Sequence, residues 1–117
     1  MGSELVINGV VYVPKDDKAI ELDGMPYCIV RTGSAGVFAG YIESRNGKEV
    51  VIRQARRIYY WEGAATLSQL AQSGTSKPDK CKFPEPVNRI TVTKAIEILD
   101  CTEQARLSIA SVEIWKA

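Results

Sequence analysis

Apolar and polar positions alternate along most of the chain in short runs bounded by turn residues, a pattern that predicts strands joined by tight connections. Leu5-Val6-Ile7 and Val10-Val11-Tyr12-Val13 flank Asn8-Gly9, a pair that tolerates positive φ, so an N-terminal hairpin is expected over residues 5–13, ended by Pro14. Lys15-Asp16-Asp17-Lys18 is a polar connection, and Asp23-Gly24 marks a turn. Tyr27-Cys28-Ile29-Val30-Arg31 then reads as a strand in which Tyr27, Ile29 and Arg31 share one face. Val37 to Ser44 and Glu49 to Gln54 are strand-like on either side of Asn46-Gly47, giving a second hairpin. If the chain stays extended beyond Gln54, Arg53, Ala55 and Arg57 lie together on one face and Arg56 on the other.

The period then changes. Thr66-x-x-Gln69 matches a capping box, Leu67, Leu70 and Ala71 have the spacing of a buried helical stripe, and Gly74 supplies the stop. Thr75 to Val87 carries three prolines and forms the longest irregular connection. Ile90, Val92, Ile96 and Ile98 fall on one face of a last long strand, interrupted at Lys94 by an edge, a bulge or an approach to solvent. Thr102 caps a second short helix with Ala105, Ile109 and Val112 as its apolar stripe and Arg106 on its flank, and Val112-Glu113-Ile114-Trp115 reads as a final strand. The expected fold is α+β: a mainly antiparallel sheet with two short helices. It forms a single domain over residues 1–117, with the hairpin at 5–13 and the sheet and helices over 26–116.

Composition narrows the functions open to such a fold. A chain of 117 residues has little interior to spare, so a sizeable ligand belongs in a surface recess or between subunits. Fifteen basic and fourteen acidic residues leave a net charge of +1, without the basic excess of a protein that tracks polymeric nucleic acid. Histidine, the commonest general base and metal ligand, is absent. Cys28, Cys81 and Cys101 are widely spaced and odd in number, which points to a reduced, cytoplasmic setting without a zinc or disulfide framework, and no cofactor is implied. No apolar run approaches the roughly 20 residues that span a bilayer, so no membrane partner is expected. Glu43, Glu49, Glu62, Glu97, Asp100 and Glu103 show no acid/base or metal spacing, and a nucleophilic serine or cysteine would lack its usual base.

Candidate binding chemistry concentrates between Gln54 and Ala71. Arg56 and Arg57 offer guanidinium forks for phosphate, Tyr60 and Trp61 offer faces for a base, and Gly63, Ala64 and Ala65 make a small-residue approach to a helix start. Those three small residues serve either ligand access or close packing of the helix on the sheet. Arg31 is an edge residue or a pocket rim. Gly33-Ser34-Ala35-Gly36 is a turn or a phosphate cradle, although it lacks the Lys-Ser/Thr ending of a P-loop. Phe83, between Lys82 and Pro84, either plugs the core or stacks on a base. Asn88 and Arg89 open a strand with an amide and a charge, and Arg106 adds a further cation.

The same residues carry a resemblance. Arg56-Arg57-Ile58-x-Tyr60-Trp61-x-Gly63-Ala64, Leu67-Ser68-Gln69-Leu70-Ala71, Lys77-Pro78, Cys81-Lys82-Phe83, Ile96-Glu97-Ile98 with Thr102-Glu103, and Val112-x-Ile114-Trp115 together resemble a family of small bacteriophage and prophage proteins. The likeness runs from about Tyr27 to the C-terminus, and the family includes the anti-Thoeris sponges, which sequester cyclic ADP-ribose immune signals without degrading them. The resemblance implies an oligomeric, cytoplasmic, non-enzymatic protein that binds a cyclic ADP-ribose isomer, with cyclic trinucleotides of CBASS immunity as a further ligand class. It would place the pyrophosphate against Arg56 or Arg57, Arg31 or Arg106 and the amides of Gly63 to Ala65. Adenine would lie against Phe83, Tyr60 or Trp61, with Asn88 reading an edge. Affinity near nanomolar, about 12 kcal/mol, favours a ligand enclosed by two chains. Two other readings stand beside it. One is a protein-interaction or virion accessory module presenting Tyr59, Tyr60, Trp61 and Trp115, and the other is a signal-degrading phosphodiesterase, which lacks a catalytic set.

Overall fold

Turn chemistry and register shifts in the sheet set the architecture. The computed structural model describes residues 5–7, 10–12 and 17–116. Strands β1 (Leu5–Ile7) and β2 (Val10–Tyr12) pair antiparallel as a separate two-stranded ribbon, with Val6 opposite Val11, as the sequence predicts. The Asn8-Gly9 turn and the end at Val13-Pro14 lie outside the described residues. Strands β3 (Tyr27–Thr32), β4 (Val37–Asn46), β5 (Glu49–Arg57), β6 (Val87–Val92) and β7 (Ala95–Asp100) form one antiparallel sheet in the order β6-β5-β4-β3-β7. Helices α1 (Leu67–Ser73) and α2 (Glu103–Ser111) complete the α+β fold expected from the pattern. None of the described helices is long and apolar enough to cross a membrane.

Strand order forces the sheet to curl. β6 and β7 are its two edges, yet only Thr93 and Lys94 connect them. In a flat sheet the edges would stand four strand spacings apart, about 19 Å, whereas two residues span about 11 Å. The Lys94 carbonyl accepts from Gly33 N–H (2.9 Å) and the Lys48 carbonyl from Ala95 N–H (2.9 Å), tying this corner to the β3–β4 and β4–β5 turns. The single long strand expected through Ile98 is therefore two strands divided at Lys94. Ile90 and Ile98 pack on the inner cluster, while Ile96 stays exposed.

Curling creates two cores. The inner face gathers Val30, Phe38, Val50, Ile52, Ala55 and Val92. On the outer face Tyr27, Ile29, Ala39 and Tyr41 pack beneath Leu70 and Ala71 of α1 and Ala105 and Ile109 of α2, with Phe83 filling the space beside them. Both helices start as predicted. The Thr66 hydroxyl accepts from Gln69 N–H (3.1 Å) and the Thr102 hydroxyl from Ala105 N–H (3.1 Å), while Gly74 at φ 75° closes α1.

Three further expectations need correction. The second hairpin turns on Gly47-Lys48, since Asn46 still pairs with Glu49; Gly47, at φ 61°, takes the position that must have positive φ. The final strand reduces to a single parallel bridge between Ile114 and Phe83. The third correction bears on the site. Ala39 faces Arg56 and Tyr41 faces Arg53, so Gln54 and Ala55 together oppose the single residue Gly40, a β-bulge. A Cβ at Gly40 would lie 2.5 Å from Ile52 Cγ2 and 2.8 Å from the Arg53 carbonyl, which is why the crossing needs glycine. The extra residue reverses the alternation, so Arg53 lies on the outer face beside Tyr41 while Arg57 reaches the inner Phe38. Arg53 and Arg57 do not act together.

Candidate functional site

The reversed phase sends Arg56 to the outer face, where it is buried with only 8 % of its surface exposed. Its Nη1 donates to the Ile109 carbonyl (2.9 Å) and its Nη2 to the Val112 carbonyl (2.5 Å), both at the C-terminal end of α2. Longer contacts of 3.4 Å run from Nη2 to the Phe83 carbonyl and from Nε to the Pro84 carbonyl. A helix C-terminus presents unsatisfied carbonyls and a partial negative charge, so a guanidinium fork there both satisfies acceptors and lies favourably in the helix field. Among the described residues no carboxylate lies within ion-pair distance of Arg56. Burial pushes its pKa down, yet a guanidinium stays charged at any physiological pH, so this position carries a full positive charge answered only by dipoles.

Beside Arg56 opens a recess of about 510 Å³. Tyr27 and Tyr41 line it, packed edge to face with centroids 5.0 Å apart. Burial raises the pKa of Tyr27, the largest effect on it, so its hydroxyl stays protonated. α2 contributes Arg106, Ile109 and Ala110, the start of β6 contributes Val87 and Asn88, and the bulge contributes Gln54. Arg106 grips Glu103 through Nε (2.8 Å) and Nη2 (2.5 Å), and its Nη1 reaches the Tyr41 hydroxyl at 3.4 Å. That bidentate pair raises the Arg106 pKa and lowers that of Glu103. The recess therefore holds two guanidinium groups against one nearby carboxylate.

Of the residues singled out in the sequence, the structure brings Arg56, Asn88 and Arg106 to this recess and distributes the others elsewhere. Phe83 is fully buried, with Arg56 Cζ 5.5 Å from its ring centroid, so it is a core plug and not an open stacking platform. Arg57 lies 4.4 Å over the Phe38 ring and donates to the Ala35 carbonyl, fastening the Gly33–Gly36 loop as a turn. Arg31 pairs with Glu97 at 3.0 Å across β3 and β7 on the sheet surface; β3 is hydrogen-bonded on both sides, so Arg31 is neither an edge residue nor part of the recess lining. Gly63, at φ 85°, has no room for a Cβ, which would stand 2.5 Å from Lys77 N; its carbonyl accepts from Ser76 N–H. Trp61 packs on the outer core and donates to the Ala64 carbonyl, and Ala65 N–H is taken by the Gln69 side chain. Close packing is thus the visible work of Gly63 and Ala64, while Ala65 is exposed.

A second aromatic group sits apart from the recess lining. Tyr59 stacks on Trp115 with centroids 5.3 Å apart and planes within 6°, and Lys82 Nζ lies 5.8 Å from the Tyr60 ring and 5.5 Å from the Trp115 ring. Tyr60 also donates to Glu62 (2.8 Å), which raises its pKa.

Sequence reasoning passed over Tyr27, Tyr41 and Gln54 as site residues. Tyr27 pairs directly with Tyr41 across β3 and β4, a relation that follows only once strand register is known. Gln54 had one visible signal, a glycine at position 40 inside an apolar strand, which marks a bulge in the neighbouring chain. The thiols offer little nucleophilic chemistry: burial, with Asp100 adding to it, pushes both Cys28 and Cys101 up to about 12.

No curated protein and no solved structure matches the chain. A family described as a domain of unknown function, DUF6948, matches residues 25–109, a span that takes in the curled sheet, α1 and the recess from Tyr27 to Ile109, and the chain belongs to this family.

Proposed function

We propose that the protein is a non-enzymatic receptor that captures a small phosphorylated nucleotide in the recess beside Arg56, and that its ligand is a cyclic ADP-ribose immune signal, as in the anti-Thoeris sponges it resembles. The observation that carries this reading is the convergence of Arg56 and Arg106 on one concavity with two tyrosines and two carboxamide side chains, Gln54 and Asn88. Guanidinium groups answer a pyrophosphate, aromatic faces and amides answer a nucleoside, and the volume falls in the range of small-ligand sites, about 300–1,000 Å³. Capture without turnover suits a site whose conspicuous groups are cations, amides and phenols.

The recess is open along one side, and Val87 and Ile114 on its lining are about half exposed. In this proposal a second copy covers that side, enclosing the ligand in a homo-oligomer within the cytoplasm of an infected or lysogenic bacterium. Cyclic trinucleotides are the proposed further ligand class. A second reading, a protein-interaction or virion accessory module, draws on the exposed Tyr59–Trp115 stack and its Lys82 cap, the residue types that anchor interfaces.

The test mixes purified protein with cyclic ADP-ribose isomers and cyclic di- and trinucleotides, removes unbound ligand, denatures the protein by heat and identifies the released material by mass spectrometry. Intact ligand in near-stoichiometric amount is the expected result. Degraded ligand would make the protein an enzyme, and an empty protein would shift the case to the aromatic surface and a protein partner.

A further inference from the structure

We infer that Gln54 is the residue by which the recess selects its base, reading the amino group and adjacent ring nitrogen of adenine; the inference rests on the nucleotide-binding proposal above. Two non-glycine residues adopt positive φ among the described ones. Asp23, at φ 51°, sits in the Asp23-Gly24 turn, where aspartate commonly takes the left-handed conformation. Gln54, at φ 50°, occupies the interior of a long strand, at the bulge position for which glycine is the usual occupant. A γ-extended side chain has no local hydrogen bond to offer the backbone there, and Gln54 shows none to any described group. Backbone strain retained at a site lining is a sign that the side chain itself is used.

Position and chemistry indicate the use. Arg53 pairs with Arg89 and Ala55 with Val87, so Gln54 stands level with Asn88 of β6, and both line the recess. In the binding proposal the anionic part of a ligand faces Arg56 and Arg106, which leaves this carboxamide edge for its base. A carboxamide holds a donor and an acceptor side by side, matching N6–H and N7 of adenine in a bidentate pair. Hypoxanthine presents two acceptors at the same edge, so one arm of the pair is lost. The recess is therefore a reader of adenine nucleotides, and Gln54 sets that preference.

Calorimetry on the wild-type protein, Gln54→Gly and Gln54→Asn, with cyclic ADP-ribose and its hypoxanthine analogue cyclic IDP-ribose, tests this directly. Glycine and asparagine both tolerate positive φ, so neither variant should unfold, and Tm should hold or rise. Wild type should prefer the adenine ligand by roughly tenfold or more, Gln54→Gly should reduce the preference to within about twofold, and Gln54→Asn should fall between. A Gln54→Gly protein that keeps the wild-type preference overturns the inference, as does a wild type that binds both ligands equally. A Tm drop in both variants would assign Gln54 a structural role instead. Wild type that binds neither ligand removes the binding proposal and this inference together.

Discussion

The two faces of the curled sheet are built on different terms. The inner face is closed by the sheet's own curvature around Val30, Phe38, Val50, Ile52, Ala55 and Val92, whose chemistry is interchangeable so long as volume is kept. The outer face is closed by helices and carries Arg56, Tyr27 and Tyr41 among its aliphatic neighbours. One face explains why the chain folds; the other explains what the fold can hold. Burial alone therefore does not separate a packing residue from a candidate binding residue, since Phe38 and Arg56 are both almost inaccessible to solvent.

Removing each of them should divide the two roles. Phe38→Ala is expected to cost about 3–5 kcal/mol by leaving a void in the inner cluster, with affinity for nucleotide unchanged in the folded fraction. Arg56→Met fills similar volume but removes the guanidinium donors to the carbonyls of Ile109, Val112, Phe83 and Pro84; Ile109 and Phe83 each keep a backbone donor, from Val112 and Trp115 N–H. The Ile109 and Val112 contacts carry most of that loss, about 2–4 kcal/mol, and ligand binding should disappear with it. Arg56→Lys keeps the charge without the fork and should sit between, with weak residual binding. Urea denaturation and calorimetry on all three check the comparison; an Arg56→Met protein as stable as wild type would show that the guanidinium is not the staple its contacts describe.

The faces also differed in how far the sequence disclosed them. Alternation in Tyr27–Arg31 and Val50–Ile52 and the caps at Thr66 and Thr102 are local signals, and they placed the strands and helices. The break at Lys94 was visible as an interruption, but its meaning depends on β6 and β7 being opposite edges of one sheet, a relation no local window contains. Arg56 is harder still. Its burial is decided by carbonyls some fifty residues later in the chain, at Ile109 and Val112, and by a bulge that inverts which arginine faces which side. Phe83 looked equally suited to core and ligand because its flanks, Lys82 and Pro84, are polar or conformationally special while the ring itself points inward. The paired arginines part company, and the aromatics that follow them, Tyr60 and Trp61, stand outside the recess lining. Of them only Arg56 lines the recess, which is completed by β3, β4, the start of β6 and α2.

Glu103 sharpens the comparison within the outer face. Its carboxylate occupies Arg106 and accepts Ile20 N–H at 2.8 Å, so it competes with any anion for the same guanidinium. Glu103→Gln removes that competition. Affinity for cyclic ADP-ribose should rise roughly threefold to tenfold, the scale of one partly exposed charge, with the gain shrinking as salt is added. Loss of an acidic residue from the first turn of α2 should lower stability by about 0.5–1 kcal/mol. Opposite movements of affinity and Tm are the signature; an affinity that falls with Tm would mean Glu103 positions Arg106 for the ligand instead of withholding it.

The smallest expected effect concerns acid. Glu43 accepts from Arg89 at 2.9 Å and Arg53 at 3.1 Å, and these hydrogen bonds, Arg89 first, lower its pKa to about 2. A depressed carboxylate pKa means the unfolded chain binds the proton more readily, so the group's contribution is present above the unfolded value, roughly 4.3, and fades as pH falls toward the folded one. The Tm difference between wild type and Glu43→Gln should accordingly be steady from neutral pH to about 5 and narrow between about 4 and 2. Val92→Ala, on the inner face, gives the contrast, because its Tm deficit arises from lost packing and should not follow the Glu43 titration. Thermal scans of the three proteins across that range make the test. A Glu43→Gln deficit that persists unchanged at pH 2 would mean that shape, not charge, is what the outer ion cluster contributes.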